Sequence, residues 1–187
     1  MRRRTFIFII IGVVILGGAI IFINYFHVGQ EYPTQNKQRN NNYSKKLENV
    51  NRFLVEKDKE RIKSFINRRG WKMKTTESGL WYQIFTDKEG KKISMGDKVK
   101  INYEIRLLDG TLCYTSDSTG AKEFIVGRNE SMMGLQEGIK LLNEGDRARL
   151  IIPPHLGYGL IGDKNRIPAR AVLVYTLDVL EVEHKRR

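Results

Sequence analysis

The sequence predicts an α+β domain in which a twisted antiparallel sheet wraps around one short helix. Apolar and polar residues alternate in residues 98–108 and 171–182, as they do in half-buried strands. Turn glycines separate the apolar segments, and in this half of the chain only residues 132–142 have clear helical spacing. Successive strands with a single helix favour an antiparallel sheet over alternating strand and helix units. A transmembrane helix and one further helix are predicted before this domain.

Residues 1–26 are predicted to be a cytoplasmic leader followed by a transmembrane anchor. Three arginines precede an uncharged apolar run of 18 residues, Phe6–Ile23, which is long enough to cross a bilayer. A cleaved signal peptide is the alternative. Its apolar core is usually shorter, and here the small residues Gly17 and Ala19 lie inside the run. The positive-inside rule then predicts a single-pass protein whose remaining residues are extracytoplasmic, on the periplasmic side of the inner membrane in a diderm cell.

Two further segments are predicted before the sheet. Residues 27–43 are polar, rich in Asn and Gln and without apolar periodicity, which is typical of a disordered linker. Residues 44–70 predict an amphipathic helix, with Ser44 as its cap and Gly70 at its end. Asp58 interrupts the apolar stripe of this helix. We expect the stripe to pack on its own domain; a dimerisation helix is the alternative, and the oligomeric state stays open.

The last predicted segment, residues 71–187, contains the domain itself. Its predicted elements, in order, are strands 79–85 and 98–108, helix 132–142, and strands 147–153 and 171–182. Gly110 supplies the left-handed conformation that the hairpin turn after the second strand requires. In the last strand, one set of alternating residues is expected to face the core: Leu173, Tyr175, Leu177 and Val179.

The net charge of +12 does not indicate nucleic-acid binding. Residues 1–70 hold 14 Lys and Arg against 5 Asp and Glu, whereas residues 71–187 hold 19 against 16. The excess positive charge therefore lies before the predicted domain, where attraction to anionic lipid headgroups accounts for it. The sequence also contains no zinc-type spacing of Cys and His and no basic stripe interleaved with aromatic residues.

The sequence does not favour covalent catalysis, a metal or a cofactor. His155 and His184 have no carboxylate or thiol at a metal-ligand spacing. Cys113 is the single cysteine and is expected to be a small strand residue. The glycine-rich stretches lack the context and the lysine of a phosphate-binding loop. What remains is a group of apolar and aromatic residues at strand ends and at the start of the helix: Tyr103, Phe124, Met132, Leu135, Tyr158, Ile167 and Tyr175.

Three ordered motifs resemble the FKBP-type peptidyl-prolyl isomerases. They read GDKVKINYEIRLLDGT, then GLQEGIKLLNEGDRARLIIPPHLGYG, then IPARAVLVYTLDVLEVE. The resemblance covers roughly residues 75–183, and the middle motif is the most specific. The lead-in TTESGLWYQIF and the helix before it look like those of bacterial extracytoplasmic members. The anchored arrangement also resembles the isomerases associated with gliding motility, although the lipid-bearing cysteine of such proteins is missing here.

The resemblance implies an FKBP-like sheet and an apolar pocket that binds proline-containing polypeptides without a cofactor. Tyr158 and Tyr103 are then the expected catalytic residues, with the Tyr158 hydroxyl donating to a substrate carbonyl. The expected substrate-binding residues are Tyr114, Phe124, Met132, Leu135, Ile167 and Tyr175. The implied function is isomerisation of X-Pro bonds during the folding of exported proteins at the membrane.

The sequence departs from the family at the first pocket segment. The family usually reads G-x-x-F-D-S-S after the hairpin glycine, whereas this chain reads GTLCYTSDS. The carboxylate is absent there, and Asp117 lies a few residues further on. Leu135 replaces the family Trp, and Tyr175 replaces the family Phe. A non-catalytic FKBP-fold module or chaperone, which holds a proline-containing segment of an envelope partner, is therefore the alternative to the enzyme.

Overall fold

A computed structural model describes Phe22 and residues 34–185 of the chain, with side chains described at Phe22 and from Tyr43 onward. The chain divides into two compact units, Met1–Arg52 and Phe53–Arg187. In the first unit the described structure is mainly helical, from Thr34 to Arg52. The second unit contains the sheet and the candidate functional site.

The described secondary structure begins with a helix, α1, Thr34–Arg69. The remaining elements are β1 Lys74–Thr75, β2 Trp81–Thr86, β3 Lys98–Leu107, β4 Leu112–Thr115, α2 Ser116–Thr119, β5 Lys122–Ile125, α3 Met133–Ile139, β6 Arg147–Ile152, a 3₁₀ turn at Pro154–Leu156, and β7 Leu173–Glu183. The strands form one antiparallel sheet in the order β1-β2-β6-β7-β3-β4, and β5 also pairs with β3. The predicted antiparallel sheet is thus confirmed.

One face of the sheet packs against α3, the short helix that the sequence predicts. Leu135 and Ile139 of α3 are fully buried against this face, together with Leu150 of β6. Gly138 allows the close approach, because a Cβ at this position would lie only 2.5 Å from the Leu150 Cδ1 atom. The alternation in β7 places Tyr175 and its neighbours at i±2 in the same core.

The opposite face of the sheet is covered by the C-terminal half of α1. Ile62, Phe65 and Ile66 are buried in a second apolar cluster with Val172 and with Val174 of β7. Both faces of β7 are therefore apolar at its start, which explains why residues 172–175 read as a continuous apolar run. Further towards its N-terminus, the helix exposes large apolar side chains, namely Tyr43, Leu47, Val50 and Phe53.

Helix α1 begins at Thr34, ten residues before the predicted Ser44. Residues 34–43, which were expected to belong to a disordered linker, are therefore helical. The physical reason is that residues 34–69 contain neither Gly nor Pro, so no residue interrupts the helix. The helix ends at Arg69, and Gly70 follows with a φ of 65°.

The predicted membrane anchor, Phe6–Ile23, lies outside the described residues, apart from Phe22. No helix in the described part of the chain is long and apolar enough to span a bilayer.

Candidate functional site

Two stacked tyrosines form the centre of the predicted pocket. The rings of Tyr103 on β3 and Tyr175 on β7 have centroids 5.6 Å apart and an interplanar angle of 24°. They are diagonal neighbours on one face, because Tyr103 lies opposite Leu177 and Tyr175 lies opposite Ile105. Tyr175 is almost fully buried, and this burial raises its pKa well above the ordinary value. Its phenol therefore stays neutral at physiological pH.

Apolar side chains from three other segments join these rings. Phe124 of β5, Leu135 of α3 and Ile167 of the loop before β7 are buried in the same cluster as Tyr175. Met132, at the N-cap of α3, is partly buried against the cluster, as are Tyr103 and Tyr114. The sheet, the helix start and the loop thus bring seven of the eight expected pocket residues into one apolar cluster.

The eighth residue, Tyr158, lies at the start of the long loop between β6 and β7 and is 37% exposed. Partial burial raises the pKa of its phenol, and the nearby Asp163, Tyr114 and Tyr103 raise it further. On either side of Tyr158, Leu156 and Ile167 are buried in the apolar cluster, so this loop borders the cluster. Within the described residues, its hydroxyl makes no hydrogen bond to another protein group. A protonated hydroxyl in this position can donate to a ligand carbonyl.

The long loop is folded back on itself at its base. The Arg170 amide donates to the Gly159 carbonyl at 2.9 Å, and the Gly159 amide donates to the Pro154 carbonyl at 2.8 Å. Gly162 has a φ of 75°, and a Cβ there would lie 2.2 Å from the Ile167 carbonyl oxygen. The loop can therefore close over itself only with glycine at this position.

Asp163 holds the tip of this loop. Its Oδ1 atom accepts the amides of Ile167 at 2.8 Å and of Asn165 at 2.9 Å. Its Oδ2 atom accepts the hydroxyl of Tyr114 on β4. Burial alone would raise the pKa of Asp163, but the hydrogen bonds from Tyr114, Ile167, Asn165 and Arg166 outweigh it and lower the pKa. The Asp163 carboxylate is therefore ionised at neutral pH, and it connects Ile167 to β4.

Two more contacts lie beside the expected pocket residues. The Arg166 guanidinium donates to the Cys113 carbonyl at 3.0 Å, which ties the loop to β4 a second time. The Tyr103 hydroxyl shares a hydrogen bond with the Thr119 hydroxyl at 3.0 Å. Burial raises the pKa of the Cys113 thiol, so the sulfur is a packing atom and not a reactive thiolate. In residues 34–185, no group of three or more His, Cys, Asp or Glu side chains is arranged to hold a metal ion.

Comparison with known proteins agrees with this architecture. Residues 89–180 match the model of the family described as FKBP-type peptidyl-prolyl cis-trans isomerase. The chain belongs to the FKBP family. The matched range includes β3 to most of β7 and all eight of the expected pocket residues.

FKBP relatives among the curated proteins include bacterial and mammalian proteins. The chain is 34% identical over 127 residues to the probable FKBP-type peptidyl-prolyl cis-trans isomerase FkpA of Neisseria meningitidis serogroup B, which covers 67% of this chain and 46% of that protein. It is 32% identical over 149 residues to FkpA of Buchnera aphidicola, which covers 75% of this chain and 58% of that protein. The chain thus spans about half the length of these relatives.

Solved FKBP structures share the fold. The crystal structure of FkpA from Escherichia coli aligns with a TM-score of 0.60 and 24% identity, over 89% of this chain and 81% of that one. The crystal structure of AtFKBP13 aligns with a TM-score of 0.56 and 24% identity, over 59% of this chain and 98% of that one.

The departure from the FKBP pattern now has a structural description. The usual Phe and Asp correspond to Cys113 and Tyr114 or, with one inserted residue, to Tyr114 and Thr115; all three residues lie on β4, and the Cys113 side chain is buried in the core. The exposed Asp117 lies in the first turn of α2. The carboxylate bonded to Tyr114 comes from the long loop, at Asp163. Sequence reasoning missed Asp163 because a loop residue gives no periodic signal, and its position between Gly162 and Lys164 was the only local sign of a turn.

Proposed function

We propose that the chain is a peptidyl-prolyl cis-trans isomerase that acts on X-Pro bonds of exported polypeptides. One observation carries the proposal. The loop that holds Tyr158 borders an apolar cluster that includes the stacked rings of Tyr103 and Tyr175, and within the described residues the Tyr158 hydroxyl has no hydrogen-bond partner in the protein. An apolar site with a few convergent polar groups is the usual form of a site for a small ligand such as a proline ring.

The chemistry needs no nucleophile, because isomerisation breaks no covalent bond. The X-Pro amide must rotate through a twisted state in which the double-bond character of its C–N bond is lost, against a barrier of about 18–20 kcal/mol. Water stabilises the planar, charge-separated amide, so an apolar pocket that excludes water favours the twisted state. In the proposal Tyr175 and Tyr103 supply this surface, and its support is that they share one apolar cluster with Met132, Leu135, Phe124 and Ile167.

In this proposal Tyr158 orients the rotating bond. Its phenol is protonated at neutral pH, and the raised pKa extends this form to more alkaline pH, so the hydroxyl can donate to a backbone carbonyl of the substrate. Interactions that are stronger in the twisted state than in the planar one lower the barrier. The Tyr103 hydroxyl already shares a hydrogen bond with the Thr119 hydroxyl, which fixes the position of the ring. The proposed contribution of Tyr103 is therefore the apolar surface of that ring.

Tyr114 contributes to the proposed site mainly through Asp163. Its hydroxyl donates to the Asp163 carboxylate, whose other oxygen accepts the Ile167 amide. These hydrogen bonds thereby hold Ile167 in the apolar cluster. Because Ile167 is fixed, the proposed pocket is already formed before the substrate arrives. Binding therefore loses less conformational entropy of the loop.

The proposed place of action is the outer side of a membrane. Its support is in the sequence, where the 18 uncharged residues Phe6–Ile23 follow three arginines. Uncatalysed X-Pro isomerisation takes tens of seconds or more, slow enough to limit the folding of newly exported chains. Such chains are the proposed partners of the pocket.

The experiment is refolding of an unfolded test protein whose slow phase is limited by X-Pro isomerisation. The full chain, kept in solution with a mild detergent, is added at a substoichiometric concentration. We expect acceleration of the slow phase alone, and loss of most of it in Tyr158→Phe. Tyr82→Phe is the matched control, since Tyr82 lies on β2 opposite Leu150 and outside the proposed site.

The same experiment separates the enzyme from a binding module. A slow phase that changes only when the chain is in stoichiometric excess indicates a module that holds proline segments without isomerising them. A slow phase unchanged at every concentration contradicts the proposed activity.

A further inference from the structure

Asp58 is a buried carboxylate on a helix face that is otherwise apolar. It lies on α1, one turn before Ile62, and is 8% exposed. Ile62 belongs to the apolar cluster that α1 forms with Val172 and Val174. A carboxylate in such surroundings is costly unless a cation or hydrogen-bond donors pair with it.

The partner of Asp58 is Arg170, which belongs to the pocket loop. The Arg170 Nη2 atom lies 2.7 Å from Asp58 Oδ2, and the two residues are 112 positions apart in the chain. Both side chains are largely shielded, with 30% of Arg170 and 11% of Asp58 exposed. The contact is therefore a charge-assisted hydrogen bond from which water is partly excluded. Such a bond is stronger than an ion pair on the exposed surface.

Arg170 also occupies an unusual backbone position. Its φ is 56°, a left-handed conformation that residues other than glycine rarely adopt. In this conformation its amide donates to the Gly159 carbonyl and closes the base of the loop next to Tyr158. Surrounding contacts must hold such a backbone in place. The Asp58 carboxylate provides such a contact, because it accepts a hydrogen bond from the Arg170 side chain.

The helix that carries Asp58 lies outside the part of the chain that matches the FKBP family. The match covers residues 89–180, whereas α1 ends at Arg69. Asp58 therefore lies outside the matched residues, yet it reaches the base of a loop inside them.

We propose that Asp58 is a positioning residue for the pocket, through which α1 holds Arg170, and thereby the base of the Tyr158 loop, in its closed arrangement. The effect on turnover rests on the proposed isomerase function, but the effect on the loop does not.

The test compares Asp58→Asn with wild type in the full chain. The neutral amide keeps the shape of the side chain but loses the charge that pairs with Arg170. We expect kcat/KM to fall about tenfold, a change of ~1.4 kcal/mol in transition-state stabilisation, with most of the loss in kcat because the loop presents Tyr158. Glu56→Gln is the matched control, since Glu56 is on the same helix and forms an exposed ion pair with Lys59.

Amide hydrogen exchange distinguishes positioning from general stability. We expect the Arg170 and Gly162 amides to exchange faster in Asp58→Asn while the β3 amides exchange as in wild type. Equal exchange at the loop in Asp58→Asn and Glu56→Gln overturns the proposal, and so does a uniform acceleration across loop and strand. If wild type does not isomerise X-Pro bonds, the proposed function fails, and the exchange of the loop amides alone decides for or against the positioning role.

Discussion

The Asp163 carboxylate accepts hydrogen bonds from backbone amides of the loop that carries Tyr158. Its two oxygens accept the amides of Ile167 and Asn165 and the hydroxyl of Tyr114, so one carboxylate connects the loop to β4. The folded chain lowers the pKa of Asp163 below the ordinary aspartate value of 3.8. The ionised form therefore stabilises the folded loop. This contribution is fully present above about pH 3.8 and is lost as the pH falls through the lower, folded pKa.

Tyr114→Phe tests this linkage. The variant removes the phenol donor, so the pKa of Asp163 should rise towards 3.8 while the amide hydrogen bonds remain. A carbon-13 NMR titration of the Asp163 carboxyl group measures the midpoint directly. Tyr82→Phe, on β2, should leave the midpoint at the wild-type value. An unchanged midpoint in Tyr114→Phe would show that the Tyr114 hydroxyl does not donate to Asp163.

At the residue scale, the sequence predicted aromatic and apolar positions better than polar ones. Tyr103 and Tyr175 lie on alternating strands, so the face that each occupies follows from the period of the pattern, whereas their grouping in one site was implied by the resemblance to the FKBP family. The Tyr114–Asp163 and Asp58–Arg170 contacts join residues 49 and 112 positions apart. Such pairs depend on the path of a loop, which hydrophobic periodicity does not encode.

The conformation of the pocket loop requires glycine at position 162. Gly162 combines a φ of 75° with a space that a Cβ cannot enter, because the Ile167 carbonyl oxygen would lie 2.2 Å from it. Flexible side chains can move away from a new methyl group, but this neighbour is backbone.

We therefore expect Gly162→Ala to displace Ile167 and to reduce kcat/KM by at least about tenfold. The positive φ adds a conformational cost of about 1–2 kcal/mol. Gly110→Ala is the matched control: Gly110 lies at the β3–β4 turn with a φ of 95°, and a Cβ there would have no atom within 4 Å outside its chain neighbours. Isomerase assays on both variants give the comparison. Equal activities would mean that the loop conformation does not matter for the site.

At the element scale, the strongest patterns gave the most accurate boundaries. Strand β3 ends at Leu107, one residue before its predicted end, because strict alternation marks a strand clearly. The four-residue strand β5 was not predicted, since a segment this short shows too few alternations, and β4 was anticipated only through the hairpin turn at Gly110 and the strand position of Cys113. Helix α1 extends further than predicted because polar composition alone does not stop a helix.

For the molecule as a whole, the C-terminal half of α1 is part of the folded domain. Ile62 is 1% exposed and packs with Val172 and Val174 across the sheet from the pocket. Ile62→Ala should therefore destabilise the chain by about 2–5 kcal/mol, through lost burial and the cavity left behind. Urea unfolding measures the change. Val50→Ala, at a 47% exposed position on the same helix, should stay within about 0.5 kcal/mol of wild type. Similar losses in the two variants would contradict this account of α1.

The most direct test of the central claim is NMR exchange spectroscopy on the peptide Ala-Leu-Pro-Phe with a substoichiometric amount of the full chain. The account predicts that cis and trans proline signals exchange faster with wild type, and that Tyr158→Phe removes most of the acceleration, because the loss of one hydrogen bond of about 0.5–1.5 kcal/mol acts on the rotating bond. Exchange that stays at the uncatalysed rate, whether or not the peptide signals shift, would contradict an isomerase built on this pocket.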